Sequence, residues 1–469
     1  MSAPSPRDTA GSPRPARRRT RALGLAVALA AATGCATYSD RTRDARAYAD
    51  RGDLASAESQ LNKLLGTKDS KDLPTKWHKD TALALLERAM VLHAKGDWKL
   101  SARDMSTAEK QLELLDIARD GAGQLGKYVF SDSATKYKAP PSEKLVLNAY
   151  NLLNYLLQGD LSGARVEAKR FTTMHEYLAA YDAVHPHGAF GSYLAGFVFE
   201  KLGEPEEAIR YYDEALQARP FASLQDPIRR LAPLTSYRSE RIDAVLAAMS
   251  AAPADPNAAQ QAEPPAELLI VASVGRVPYK EARRLPIGAA VGLYSNYVTG
   301  DTRVLERSAL KVVIYPELVP SRALFETAEL RLDGQTVPLE IASDIHGEVG
   351  EEYQQIKPKI IGAAISRMIV RAAVAEGARA AGNQSKNGGA LIGLLAALAA
   401  EGAMVAADRP DTRSWTLLPG LVLVTRLQVP PGKHTLTLAA TGPGGTETRE
   451  FTAELKSGGH SVLDVTTLR

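Results

Sequence analysis

One cysteine, Cys35, serves a chain of 469 residues, so no disulfide can form within it and packing alone must hold the fold. Long hydrophobic runs are missing as well. The two apolar runs that stand out are Ala22 to Thr33 and Ala390 to Ala400, twelve and eleven residues, and about 20 are needed to cross a bilayer. A net basic charge is also absent from most of the chain. The formal +3 becomes −2 once the six Arg and one Asp of residues 1–34 are set aside. That balance argues against nucleic acid as a partner and against a general attraction to anionic lipid.

Recognisable catalytic chemistry is equally scarce. No Gly-x-Ser-x-Gly elbow occurs, so a serine nucleophile has no context, and the single thiol lies near the amino end. "GAGQLGKY", Gly121 to Tyr128, meets three of the four fixed positions of a phosphate loop. Tyr128, however, stands where Ser or Thr must hold magnesium, and a helix-like stretch precedes the loop instead of a strand, so no nucleotide is expected. His185 and His187 have no third ligand nearby in sequence, so no metal site is expected either. Carboxylates are plentiful but scattered, and a glycosidase pair is defined by geometry and not by spacing. The reading is therefore a protein without cofactor and not an enzyme.

The region around the cysteine has its own pattern. Arg14, Arg17, Arg18, Arg19 and Arg21 precede the apolar run, which ends in Ala32-Thr33-Gly34-Cys35. This is the layout of an export signal over residues 1–34. It resembles the lipobox of bacterial lipoproteins, with Ala32 where Leu is commonest. That resemblance implies that the Cys35 thiol receives a diacylglycerol, that the chain is cut before it, and that the new amino terminus is acylated with fatty acid such as palmitate. One acyl chain anchors only marginally, so several are needed for stable attachment. Ala36 follows where an Asp would favour inner-membrane retention, so the expected place is the outer membrane, facing the periplasm.

Residues 35–246 read as helical repeats. In "SYLAGFVFEKLGEPEEAIRYYDEALQARP", Gly196, Phe199, Leu202, Gly203, Ala208, Tyr212, Ala215 and Pro220 fall at the spacings of the tetratricopeptide pattern. Small residues stand where two helices touch, and aromatics fill the gaps. The Gly-to-small-residue spacing of five recurs at Gly52/Ala57, Gly96/Ser101 and Gly159/Ala164. Four copies indicate an α-solenoid, whose concave surface commonly holds a peptide or a partner's helix.

A Pro/Ala-rich linker is expected at 247–266, and a β-rich domain at 267–469. Strand character marks Glu267 to Val274, "AAVGLYSNYV" (289–298), "LKVVIYPEL" and "TAELRLDGQTVPLEI", with Asp333-Gly334 as a hairpin turn. At least three further strands follow Leu421, with turns at Pro431-Gly432 and Gly458-Gly459. The "VPPGKHTLTL" piece resembles small β-sandwich accessory domains of envelope proteins. A helical hairpin is inserted at about 351–407. Its first helix sets Ile361, Ile365, Ile369 and Ala373 on one stripe, and its return segment, 390–407, is almost wholly apolar. The fold class is thus α+β and multidomain: a tetratricopeptide-like solenoid, then a β-sandwich-like domain carrying the hairpin.

Two further stretches stand apart. In Tyr137 to Phe171, Tyr150, Asn154 and Tyr155 lie on one helix, and Arg165, Glu167 and Arg170 on the next; the other stretch is "DRPDTRSWTLLPG", Asp408 to Gly420. Together with the lipobox they resemble a family of uncharacterised bacterial lipoproteins with amino-terminal tetratricopeptide-like repeats and a β-rich tail. The resemblance implies a role near peptidoglycan synthesis, but no catalytic residue can be carried over from it. Trp415 is expected to pack where the insertion re-enters the sandwich, with Arg413 pairing Asp408 or Asp411. Asn154, Tyr155, Glu167 and Arg170 either fill the space between repeats or face a partner.

The sequence therefore points to a lipid-anchored envelope scaffold that binds another protein, in cell-wall synthesis or envelope assembly. Two alternatives stand beside it: an envelope enzyme with an unrecognised site, and a membrane-active component that uses 390–407.

Overall fold

The computed structural model describes residues 36–114, 136–181, 188–250, 263–307, 312–383 and 410–469. Cys35 and the export signal, Gly121 to Tyr128, His185, His187 and the return segment 390–407 lie outside them.

The amino-terminal part is built from helical hairpins. Helices α1 (Tyr38–Arg41), α2 (Arg43–Ala49), α3 (Leu54–Leu65), α4 (Thr81–Ala94) and α5 (Trp98–Glu109) come first. A short parallel pair, β1 (Glu113–Leu114) with β2 (Lys138–Ala139), follows. Next are α6 (Pro141–Leu157), α7 (Leu161–Tyr181), α8 (Ala189–Lys201), α9 (Pro205–Ala218), α10 (Gln225–Leu231) and α11 (Glu240–Ser250).

The four glycines read from the sequence sit at the four turns α2/α3, α4/α5, α6/α7 and α8/α9. Gly52, Gly96, Gly159 and Gly203 all have left-handed φ, between 72° and 84°, a conformation a β-carbon disfavours. Five residues later, Ala57, Ser101, Ala164 and Ala208 are wholly buried, because the second helix of each hairpin crosses the first at a small side chain.

Three groups of strands make up the rest. β3 (Ala266–Val274) is followed by the antiparallel pair β4 (Tyr279–Pro286) and β5 (Val312–Val319), with α12 (Ile287–Tyr294) between them. Then come β6 (Thr327–Leu332), β7 (Gln335–Val337), β8 (Glu340–Asp344), α13 (Ile345–Asn383), β9 (Leu421–Val429), β10 (Gly432–Gly442), β11 (Gly445–Leu455) and β12 (His460–Thr466). One sheet has the order β12-β3-β9-β8 and a second the order β11-β10-β6-β7. Asp333 and Gly334 form the tight β6–β7 turn, both at positive φ.

The uninterrupted apolar run of β3 follows from its position. All nine of its residues are buried, because it has a core on each face. Leu268, Ile270 and Ala272 pack with Leu330, Leu436, Leu438 and Ala453 of the second sheet. Leu269 and Val271 pack with the helices, and Tyr150 of α6 donates its hydroxyl to Ser273 at 3.0 Å. A strand with no wet face has no reason to alternate. Helices, first sheet and second sheet thus form three layers, and the fold is α+β.

Several elements differ from the sequence reading. Residues 289–298, expected as a strand, hold α12 and a single 3-10 turn. Pro286 at the N-cap starts the helix, and only Val291 and Val298 in that stretch are β-branched. The long helix begins at Ile345, before the expected 351. Ile361, Ile365 and Ile369 are buried as a stripe, but Ala372 continues it and Ala373 is exposed. The strand β4 was not expected. Of the linker 247–266, Ala247–Ser250 belong to α11 and Ala266 opens β3. The expected turns at Pro431-Gly432 and Gly458-Gly459 are present, and each carries the chain from one sheet to the other.

Candidate functional site

Residues 410–420 run between the helices and the sheets, and bonds from this segment reach α1, α4, α6, β4 and α13. Ser39 of α1 donates its N–H to Thr412 Oγ1 at 3.2 Å. Arg413 grips Asp411 through two bonds, of 2.7 and 2.6 Å, and reaches Asp80 at 3.4 Å. Lys280 of β4 donates its N–H to Ser414 Oγ at 3.3 Å, and Trp415 N–H points to Glu143 Oε1 of α6 at 3.4 Å. Glu87 of α4 accepts three bonds, from the Thr416 N–H (2.8 Å), the Thr416 hydroxyl (2.7 Å) and the Leu417 N–H (2.8 Å). His346 N–H then holds the Gly420 carbonyl at 2.9 Å.

The electrostatics follow from burial. Glu87 is wholly inaccessible to water, and desolvation pushes its carboxyl up to about 7 against the pull of those three donors. Burial raises Glu143 too, opposed mainly by the Tyr137 hydroxyl. Arg413 is desolvated, but Asp411 and Asp80 outweigh that and hold its charge firmly. Trp415 is 1% exposed and belongs to the core shared by helices and sheet. The expected Arg413–Asp411 pair is therefore present, whereas Asp408 lies outside the described residues.

A cavity of about 520 Å³ opens where this segment meets residues 36–41. Ala36, Arg41, His78, Asp80, Asp411 and Arg413 are among its walls. Asp80 bridges Arg41 and Arg413 across it.

A second buried cluster pins helices to sheet further along. Arg426 of β9 bonds Glu267 of β3 at 2.6 Å, Glu200 of α8 at 2.7 Å and the Tyr212 hydroxyl of α9 at 2.7 Å. Lys201 pairs with Glu267, and Arg230 with Glu200 at 3.1 Å. Burial disfavours the Glu200 carboxylate, yet Arg426 and Lys201 outweigh it and bring its pKa to about 2. His93 and Asp464, 3.2 Å apart and both buried, link α4 to β12. Donors and acceptors in both clusters point at each other, so their chemistry is that of fixing elements in place.

The residues singled out on α6 and α7 divide between the interior and the surface. Asn154 is fully buried. Its amide nitrogen donates to Ser101 Oγ at 2.9 Å, and its oxygen meets His93 Nδ1 at 2.7 Å. Glu167 is 2% exposed, with Arg170 at 2.8 Å. Asn154 and Glu167 are thus turned inward and fill the space between hairpins. Tyr155 is half-buried against Gly163, and Arg170 is exposed, reaching Glu109 at 3.2 Å. Asn148 and Asn151 join Asn154 in one polar seam facing α5, bonded to Glu109 (2.9 Å) and Ser106 (3.1 Å).

The Glu87 contact was missed in the sequence, although a signal was present. Glu87-Arg88 interrupts "TALALLERAMVLHA", a helix buried all round, and a charge pair there requires partners from elsewhere. Arg88 finds Asp104 at 2.6 Å, both side chains inaccessible.

Among the described residues no group of three His, Cys, Asp or Glu side chains is placed to hold a metal ion. Among them, too, no helix is long and apolar enough to cross a membrane. The chain matches no model of a known protein family, and no curated protein matches it.

Proposed function

We propose that this chain is a lipid-anchored scaffold of the bacterial cell envelope, its helical hairpins a tetratricopeptide-like solenoid and its two larger sheets a β-sandwich. The observation that carries the reading is the junction at the amino end. Cys35 of the lipobox-like stretch is followed, two residues later, by a capping box in which Thr37 and Asp40 bond each other's backbone to open α1. A body that starts so close to an acylated sulfur is held against the membrane with almost no tether.

The solenoid does not offer its whole surface. β3 and β9 cover one side of α4, α6 and α8 with a shared core, so a partner protein meets the remaining sides, where Tyr155 and Arg170 are accessible. Helices and sheets share a core, which suits a part that holds another macromolecule at fixed distance from a bilayer. The reading assigns the chain no reaction, cofactor, nucleotide or nucleic acid, and places it at the outer membrane facing the periplasm.

Palmitate labelling in cells tests the anchor: the wild-type chain takes up label, and Cys35→Ser does not. Crosslinking then tests the scaffold, since one envelope protein is recovered with the wild type and lost with Arg170→Glu. An unlabelled chain found free in the growth medium overturns the reading.

A further inference from the structure

The lobe formed by β4, β5, α12 and α13 has its own core, in which Val313, Tyr315, Ile361 and Ile365 are buried. From Leu285 to Gly300 the sequence contains no Asp, Glu, Lys, Arg or His. In α12 one face packs inward through Ala290, with Ile287, Val291 and Tyr294 partly covered. The other face, Gly288, Ala289, Gly292 and Leu293, is open to solvent. Leu293 is 71% exposed, Tyr297 46%, and Val370 of the adjoining α13 63%. Tyr297 rests on Gly362, and Gly300 on Ile369, so the stretch after α12 is packed against α13. Immediately before Leu285 stand Arg283 and Arg284, both exposed.

We propose that this surface is a second membrane contact, with Leu293 and Tyr297 entering the acyl boundary of a bilayer and Arg283 and Arg284 meeting anionic headgroups. Position supports a lipid occupant. Helix α1 packs on β4, and Lys280 of β4 is bonded to Ser414 beside the cavity that Ala36 lines. Strand β4 therefore begins next to the proposed acylated end, and its eight residues carry the chain about 26 Å to α12. Anchoring at that end therefore holds α12 within about 26 Å of the bilayer, at high effective concentration, so a weak interfacial contact becomes populated. The chemistry supports it too: an uncharged helix face ending in Tyr, preceded by Arg284 and by Arg283, which lies 3.9 Å from Glu281, fits the interface of an anionic bilayer.

The inference rests on the anchored reading for its location but is tested apart from it. The mature body, residues 36–469, is prepared without the export signal or acyl chains and sedimented with vesicles of phosphatidylglycerol and phosphatidylethanolamine. It binds these, binds phosphatidylcholine vesicles less, and loses about tenfold in partitioning with Leu293→Asp. Arg283→Glu with Arg284→Glu abolishes the preference for anionic lipid. Both variants keep the wild-type melting temperature, since the changed side chains are exposed, and Tyr297→Trp gives an emission that shifts to the blue only with vesicles. No binding to any vesicle overturns the proposal. So does binding that survives Leu293→Asp but is lost on deleting Ala390–Ala400, which makes that segment the contact, or a dimer in solution that Leu293→Asp dissolves. Absence of palmitate label in cells removes the anchor and leaves this result standing.

Discussion

Glu87 and Leu417 are separated by 330 positions in the chain, yet the carboxylate of one accepts the backbone N–H of the other at 2.8 Å with both groups buried. The same carboxylate holds Thr416, so a single side chain on α4 fixes two successive residues of the stretch that leads into β9. Glu87→Ala leaves two buried N–H groups without acceptors and is expected to destabilise by about 3 kcal/mol. Glu87→Gln keeps one acceptor oxygen and costs about 1 kcal/mol. Urea denaturation measures both, and Trp415 emission reports whether the segment has loosened. An alanine variant as stable as the wild type would show that the contact carries no energy.

The pH dependence has an unusual sign. Burial raises Glu87, Glu214 and Glu352 to about 7, so the folded chain binds more protons than the unfolded one between about pH 4.5 and 7. Stability falls as pH rises through that window. His93 adds to the trend: burial lowers its pKa, but Asp464 and Asn154 outweigh this and raise it, so its contribution also fades as pH climbs through the folded value. In the other direction, Glu200 is held at about 2, and its contribution, full above the unfolded value, is lost as pH falls toward 2. The expected optimum is therefore near pH 5. Melting temperatures across pH 3 to 8 locate it, and Glu87→Gln flattens the high-pH limb. An optimum at pH 7.5 contradicts these shifts.

Arg426 sits among two carboxylates and two aromatic rings. Truncating it strands Glu200 and Glu267 in the interior, so Arg426→Ala is expected to lose about 3–5 kcal/mol. Replacing Arg426 by Met together with Glu200 and Glu267 by Gln removes the charges as a set. That triple variant recovers most of the loss, because a buried ion network stabilises little relative to well-packed neutral groups. If the triple variant is as unstable as Arg426→Ala, packing and not charge sets the cost.

Local geometry was legible in the sequence where a backbone conformation or a close approach demanded one residue type. Gly52, Gly96, Gly159 and Gly203 marked their turns because left-handed φ excludes most other residues, and Asp333-Gly334 marked its hairpin for the same reason. What could not be read was which surfaces face each other. The repeat pattern requires only that helix touch helix, and nothing in it says that β3 and β9 will cover α4, α6 and α8. Asn154 and Glu167 illustrate the consequence: whether such polar residues fill the space between repeats or face a partner stays open until Ser101, His93 and Arg170 are seen to satisfy them. α12 failed for a different reason, since Ala, Gly and Leu without a partner pattern suit strand or helix, and Pro286 at the N-cap decided it. The DTRSW segment was legible as unusual but not as the tie between α4, α6 and β4.

The α8–α9 contact offers a direct test of why glycine stands inside a helix. Gly196 lies in α8, where alanine gains up to about 1 kcal/mol in helix propensity. A β-carbon there runs into the ring of Tyr212, which is itself buried and bonded to Glu200 at 2.7 Å, so the ring cannot swing away without breaking that bond. Overpacking of this kind costs about 1–3 kcal/mol, and Gly196→Ala is expected to destabilise despite the propensity gain. Gly203→Ala meets no atom within 4 Å but inherits φ of +74°, a strain of about 1 kcal/mol. Crowding and strain are separated by adding Tyr212→Ala, which relieves the first variant and leaves the second unchanged. A stabilised Gly196→Ala would mean that α8 and α9 do not approach as closely as the buried ring requires.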